Sequence, residues 1–544
     1  MIGKIALNCL FFILITNILS AQVQQEWIQR YNGAANSNDR GSCSTIDIEG
    51  NIIVCGTSSS IQDYGDYITI KYNSSGTLQW TRTYNGPGNL SDWVLSVKSD
   101  NIGNVYITGR SRGSGTGEDY CTIKYNTNGV EQWVQRYNAG GGDDIAERLV
   151  VDNFGNVYVT GESQTGLGNS ADIATIKYDS SGVLQWVKRY SGIGGDSFGW
   201  DIALDQNNYI YVTGFTHDLF TGADIVTIKY DISGNQQWAK TYDGEQYNSE
   251  EARSIAIDNL NNVYVTGYTR ATGTGPNYIL IKYNSNGDLQ WIRTYNGPGN
   301  YYDWALKVAV DNFSNVYITG FIAVLNPLSS DIATIKYNSN GVEQWVRTYS
   351  GPSIGNDNAN SLTLDNLGNV YITGLSYDST TLADFVTIKY NTDGTQQWIE
   401  KYNGPIDSID QAFSVVVDGV NNVYVTGTSR GIGSLDDIVT IKYSQTIGII
   451  PVSNVQPNSF ELEQNFPNPF NPKTSINFQL PVKGYVKLLI FDILGRKIQT
   501  LVDEDLSAGV FSVEWNALNF PSGIYYYRLN TDQYIETKKM VLLK

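Results

Sequence analysis

Histidine is almost missing from this chain. His217 is the only one in 544 residues, which removes most Ser/His and Cys/His nucleophilic arrangements and nearly all histidine-based zinc sites. Methionine is equally scarce, at two residues, and no stretch of the mature chain carries sustained helical periodicity. Positive charge is in deficit: 36 Lys and Arg stand against 54 Asp and Glu, for a net charge of −18 and a pI near 4.5. Such a surface repels a phosphate backbone and an anionic membrane alike, so nucleic acid is excluded as a partner. Long apolar runs are also missing, except for Ile5 to Ile18, which follows Lys4 and precedes Leu19, Ser20 and Ala21. That is the layout of a secretory signal peptide over residues 1–21, leaving a mature chain without a transmembrane segment. A lipid anchor would need a cysteine just after the run, but Cys9 lies inside it. Cleavage would leave Cys43, Cys55 and Cys121, an odd number that argues against a disulfide framework.

What is abundant is glycine, 54 residues, and tyrosine, 38 residues, as suits short strands joined by tight turns. Trp27, Trp80, Trp133, Trp186, Trp238, Trp291, Trp345 and Trp398 recur at intervals of 52 to 54 residues. A Thr-Ile-Lys-Tyr element ends at Tyr72, Tyr125, Tyr178, Tyr230, Tyr283, Tyr337, Tyr390 and Tyr443, and one like Asn-Val-Tyr-Val-Thr-Gly ends at Gly56, Gly109, Gly161, Gly214, Gly267, Gly320, Gly374 and Gly427. Each unit reads as four short strands. In the third they are Arg148 to Asp152, Asn156 to Gly161, Asp172 to Tyr178 and Val183 to Tyr190, with the hairpin turns Asp152–Asn156 and Asp179–Gly182 placing glycine where φ must be positive. Repeated four-stranded units are the mark of a β-propeller, with a solenoid as the competitor. The array begins with a lone Trp strand, Gln24 to Tyr31, and stops after a third strand at Tyr443. Pairing the two fragments completes an eighth blade and leaves no bare edge. The expected fold is therefore all-β: an eight-bladed β-propeller over residues 22–443, closed by its N-terminal strand. Units reading Val-Val-Asp-Asn-Phe-Gly-Asn-Val-Tyr-Val-Thr-Gly (150–161) resemble the bacterial beta-propeller repeat family, usually described by seven-bladed members. That resemblance implies architecture and little about function.

After Tyr443 the period stops. Residues 444–459 read as a linker, and residues 460–544 as a separate immunoglobulin-like β-sandwich of six strands. Its Asn465-Phe466-Pro467-Asn468-Pro469-Phe470-Asn471-Pro472, Phe491-Asp492-Ile493-Leu494-Gly495-Arg496, Pro521-Ser522-Gly523-Ile524-Tyr525 and Lys538-Lys539-Met540-Val541 resemble the type A C-terminal sorting domain of the type IX secretion system. The resemblance implies delivery through the periplasm to the outer-membrane secretion machinery, then release or display at the cell surface.

Several constellations invite chemistry. Asp39, Asp92, Asp144, Glu250, Asp303, Asp357 and Asp410 recur eight positions before the turn aspartate, with Ser197 as the exception. A ring of this kind would suit calcium, whereas the competing reading has each acid accept backbone N–H groups within its own blade. A site needed once hardly requires a residue in every blade, which favours the second reading and a chain without a cofactor. Asp66, Asp119, Asp172, Asp224, Asp331, Asp384 and Asp437, with Asn277 in one blade, read in the same way as turn residues. Gly113–Gly117 lacks the βαβ setting of a phosphate loop, and His217 is assigned no role. The loops between second and third strands vary, so Arg110, Arg112, Phe215, Phe220, Tyr268 and Arg270 are candidates for contact with an extracellular glycan or protein. Cys43 and Cys55 flank the turn Asp47–Asn51. If Asp47 faces Asn51 the thiols are opposed and able to form a disulfide in an oxidising compartment, while a shorter turn would point them to opposite faces. The expected function is a non-enzymatic binding or structural module. The rival is a glycan-degrading enzyme using channel carboxylates, which should break the repeat at channel positions.

Overall fold

A computed structural model describes residues 23–59, 64–166, 170–244, 249–324, 329–445, 450–453, 457–517 and 520–544; the signal peptide expected at residues 1–21 lies outside them. Two compact units are present, one spanning Gln24–Ser444 and the other holding Gln445–Lys544. No helix occurs among the described residues, which form ten four-stranded sheets, eight in the first unit and two in the second.

The eight sheets are numbered by their first strands, which start at Asp39, Asp92, Asp144, Ser197, Glu251, Trp304, Asn358 and Gln411. Sheet 3 is typical: Asp144–Val151, Val157–Gln164, Ala171–Tyr178 and Leu184–Tyr190 lie side by side in chain order and antiparallel. Its first strand begins four residues before the sequence suggests. The reason is a β-bulge at Glu147, where pairing jumps from Ala146 to Arg148. The extra residue interrupts the period of two on which strand recognition rests. Opposite it sits Gly161, where an added Cβ would lie 1.9 Å from the Ile145 carbonyl oxygen; the glycine of the repeated motif is a close-approach requirement. The second and third strands are buried on both faces, whereas the fourth is exposed at its start. Burial on both faces thus belongs to the two middle strands.

Repeated side chains join one sheet to the next. Trp133, on the fourth strand of sheet 2, packs against Tyr106 of its own sheet and Tyr178 of sheet 3, and its indole N–H donates to the Ser180 carbonyl at 3.3 Å. Lys124 Nζ donates to the same carbonyl at 2.9 Å, and at seven of the eight junctions the Trp and the motif lysine anchor one turn of the neighbouring sheet in this way.

The same device closes the set. Val23–Tyr31 is hydrogen-bonded to Asp436–Gln445 as the outermost strand of sheet 8. Trp27 lies between Tyr424 of sheet 8 and Tyr72 of sheet 1. Its N–H and Lys442 Nζ both donate to the Ser74 carbonyl of sheet 1, at 3.2 and 3.0 Å. First strands of successive sheets touch throughout, and Asp39–Ile46 touches Gln411–Val417. The sheets thus form a closed cycle of neighbours with the first strands innermost and no sheet edge bare between first and last.

In the second unit, one sheet has the order Ile450–Ser453, Gly509–Asn516, Lys473–Leu480, Glu461–Leu462, and the other Lys497–Leu506, Gly484–Phe491, Gly523–Thr531, Ile535–Leu542. Alternating buried residues from both, among them Phe478, Ile490, Trp515, Tyr527 and Met540, make one core. The expected linker at 444–459 is therefore shorter than its sequence suggests, because Ile450–Ser453 pairs with Gly509–Asn516 as a strand.

Candidate functional site

The bulge in each first strand turns one extra side chain out of the regular alternation. Around the cycle the bulge residues are Ser42, Leu95, Glu147, Trp200, Arg253, Leu306, Asn360 and Phe413. No outer position of the repeat is so varied. The residue two places earlier varies as well: Arg40, Trp93, Ile145, Phe198, Glu251, Trp304, Asn358 and Gln411. The repeat breaks at the innermost strands, and the break was hidden because the bulge shifts these residues out of the strand pattern.

In sheets 4 to 6 the variable residues form one continuous cluster. Phe198 stacks on Phe215 with ring centroids 4.9 Å apart, and Phe198 also stacks on Trp200. The Arg253 guanidinium lies 4.4 Å from the Trp200 ring and 5.5 Å from that of Trp304. Trp304 in turn stacks on Tyr268 at 4.8 Å. Phe198, Trp200, Arg253 and Trp304 are all only half-buried, yet Trp200 Nε1, Trp304 Nε1 and Arg253 Nε have no hydrogen-bond partner. Towards sheets 1 and 2, Arg40 and Arg110 approach the Trp93 ring at 6.0 and 5.3 Å, and Arg110 pairs with Glu118 at 3.0 Å. Between sheets 8 and 1 a cavity of about 330 Å³ is lined by Arg40, Phe413, Arg430 and Asp436, among others. In sheet 3, burial together with the charges of Glu147, Asp196 and Asp143 raises the Glu162 carboxyl to about 8. Lys307 is lowered to about 8, first by enclosure and then by Arg148 and Lys98.

The six residues expected in ligand-facing loops divide. Arg110, Phe215 and Tyr268 belong to second strands and join the inner cluster, because those strands run further than the sequence suggests. Arg112 and Arg270 are exposed at strand ends, and Phe220 is exposed in a turn. His217 lies edge-on to Phe215, with Nδ1 3.0 Å from the Asp196 carbonyl oxygen. Gly113–Gly117 closes a turn through Gly113 N–H to Gly117 O at 3.2 Å.

The seven recurring acids are buried, none more than 1% exposed. Asp303 is representative: it accepts N–H groups from Gly297 at 2.6 Å and Ala323 at 2.9 Å, clamping the loop that enters a sheet to the end of the second strand. Asp92, Asp357 and Asp410 do the same, so in these four carboxylates both oxygens accept backbone N–H groups. Asp39 and Asp144 likewise accept from Gly33 and Ala139. Burial raises all seven, Asp303 to about 6 and Glu250 to about 7, against the lowering effect of the bonds. In the second set, Asp119, Asp172 and Asp437 pair with Arg136, Arg189 and Arg30 at 2.6 to 2.8 Å. Cys43 stands directly opposite Cys55, as the five-residue turn requires, but both thiols are free.

Residues 464–543 match the model of the secretion system C-terminal sorting domain, and residues 132–168 and 241–273 match that of the beta-propeller repeat. No curated protein matches the chain. Among solved structures, PorZ, a surface component of the type IX secretion system of Porphyromonas gingivalis, is similar at 13% identity and a TM-score of 0.35, over 92% of this chain and 74% of that one. The β-propeller domain of the trilobed protease from Pyrococcus furiosus is similar at 10% identity and a TM-score of 0.39, over 65% of this chain and 94% of that one. No described helix is long and apolar enough to cross a membrane.

Proposed function

We infer from the C-terminal sorting domain that the chain is exported, to the outer surface or the medium. We propose that the exported chain is an eight-bladed β-propeller that binds an extracellular glycan or protein without catalysis, and that an immunoglobulin-like sandwich at its C-terminus engages the type IX outer-membrane machinery. The observation that carries the binding role is the Trp200–Arg253–Trp304 arrangement. Two half-buried indole rings flank a guanidinium, and three of their N–H donors lack an acceptor. Aromatic and arginine side chains so placed dominate binding surfaces, and the half-buried indole rings offer flat apolar faces to a sugar or a peptide side chain.

Glycan-array and cell-surface pull-down measurements on the secreted protein test this reading. Retention by a glycan or surface protein is expected, and Trp200→Ala together with Trp304→Ala should abolish it. Unchanged retention by the double variant would reduce the cluster to a packing feature. A second reading, glycan cleavage, draws on Glu162, whose raised carboxyl beside Glu147 is suited to a general acid. Release of shortened sugars that Glu162→Gln abolishes would favour it over simple binding.

A further inference from the structure

At seven of the eight sheet-to-sheet junctions the residue after the fourth strand is Asn or Ser: Asn32, Asn85, Asn138, Ser191, Asn296, Ser350 and Asn403. It lies between a third-strand acid and the turn residue of the next sheet. Where it points inward it donates to the former, as Asn138 Nδ2 does to Asp119 and Ser191 Oγ to Asp172, both at 2.6 Å. The junction from sheet 4 to sheet 5 departs from this pattern at two positions. Asp243 replaces the Asn or Ser donor with a carboxylate. Thr241, like Thr83, Thr294 and Thr348, stands where Arg30, Arg136 and Arg189 neutralise the third-strand acid in other sheets. Glu250 replaces the turn aspartate with a side chain one methylene longer.

These changes bring carboxylate oxygens of Asp224, Asp243 and Glu250 within 4.8 Å of one another. Asp224 is 6% exposed and Glu250 fully buried, yet Asp224 Oδ1 and Glu250 Oε2 have no hydrogen-bond partner. Their other oxygens are engaged, Asp224 Oδ2 by the Thr221 hydroxyl at 2.8 Å and Glu250 Oε1 by Thr269 and the Arg270 N–H at 3.4 Å. Asp39, Asp384 and Asp437 also leave one oxygen unpartnered, but Arg30 pairs with Asp437 at 2.6 Å and Lys401 acts on Asp384. At the sheet 4–5 junction His217 is the basic group acting on Asp224, against the added negative charges of Asp243 and Asp218. Buried carboxylates with free oxygens are costly unless a cation compensates them. A donor set of oxygens alone, without thiolate or imidazole, suits a hard cation.

We propose that Asp224, Asp243 and Glu250 bind one divalent cation, calcium by preference, at the junction of sheets 4 and 5. Exposed Asp243 leaves a side open for water to complete the coordination. This is a single site made by departures from the repeat, unlike a ring drawn from every blade.

Calcium chloride titrated calorimetrically into the full chain after EDTA treatment should show one ion per chain, with a dissociation constant in the extracellular range of about 10⁻⁴–10⁻³ M. Asp243→Asn installs the residue used at other junctions and should fold normally, which its melting in EDTA verifies. It should weaken binding on the order of tenfold or more and erase the calcium-dependent rise in melting temperature. Asp66→Asn, at the place in sheet 1 that matches Asp224, should leave the titration unchanged. Absence of binding up to about 10 mM calcium, several ions per chain, or an Asp243→Asn titration like that of the parent would each overturn the proposal.

Discussion

The outer junctions of the sheets and the innermost strands obey opposite rules. At the junctions, Trp, Lys and Tyr recur with nearly the same contacts from sheet to sheet, as in Trp27, Trp80 and Trp133 donating to turn carbonyls at 3.0 to 3.3 Å. At the bulges, eight first strands carry seven different residue types, Leu alone appearing twice. Repetition marks where every sheet faces the same packing problem. Variation marks where the chain is free of that problem and a ligand is able to select.

Deleting residues 22–33 breaks the junction rule most severely. It removes a complete strand, Trp27 and the Arg30–Asp437 pair, and should cost several kcal/mol, at least the ~3–5 kcal/mol of a large aromatic truncation. Chemical denaturation measures it, and a loss near zero would mean that closure is not the source of stability. Trp133→Ala tests one repeated contact and should cost about 3 kcal/mol, since its ring is buried between two tyrosines. Trp200→Ala tests the other side of the comparison. Its half-buried ring should cost about 1 kcal/mol while ligand retention is lost. Equal destabilisation by the two tryptophan variants would erase the distinction between the regions.

The smallest expected effect is in pH dependence. Asp303 titrates near 6 when folded, above its ordinary value of 3.8, because burial outweighs its two N–H bonds. The folded state therefore holds this proton more tightly than the unfolded chain. The resulting stability is fully present below about pH 4 and is lost as the pH rises towards 6. Asp303→Asn should flatten that decline in melting temperature between pH 4 and 6, and an unchanged slope would show that other groups govern it.

Much of the architecture was legible because its signals are local. The 52-to-54-residue period, the Asp-Asn-Phe-Gly-Asn turns and the Thr-Ile-Lys-Tyr strands each follow from backbone geometry within a few residues. The pairing of Gln24–Tyr31 with the last unit followed from counting strands. The turn length similarly placed Cys43 opposite Cys55, although not the state of their thiols. Signals were weaker where one residue changes the pattern: the bulge delayed the apparent start of the first strand in the third unit, and Pro451 within Ile450–Ser453 made a strand read as linker.

The sequence by itself determined the β class, the number of repeats and the motifs of the terminal sorting domain, because residue type and spacing act locally there. Only the tertiary structure decided that Trp200, Arg253 and Trp304 meet, since they come from three different sheets. It likewise brought Asp224 and Asp243 to Glu250, which belong to a strand, a connection and a turn and share no local pattern. Contacts of this kind depend on how separate strands converge, and the spacing along a chain does not record it.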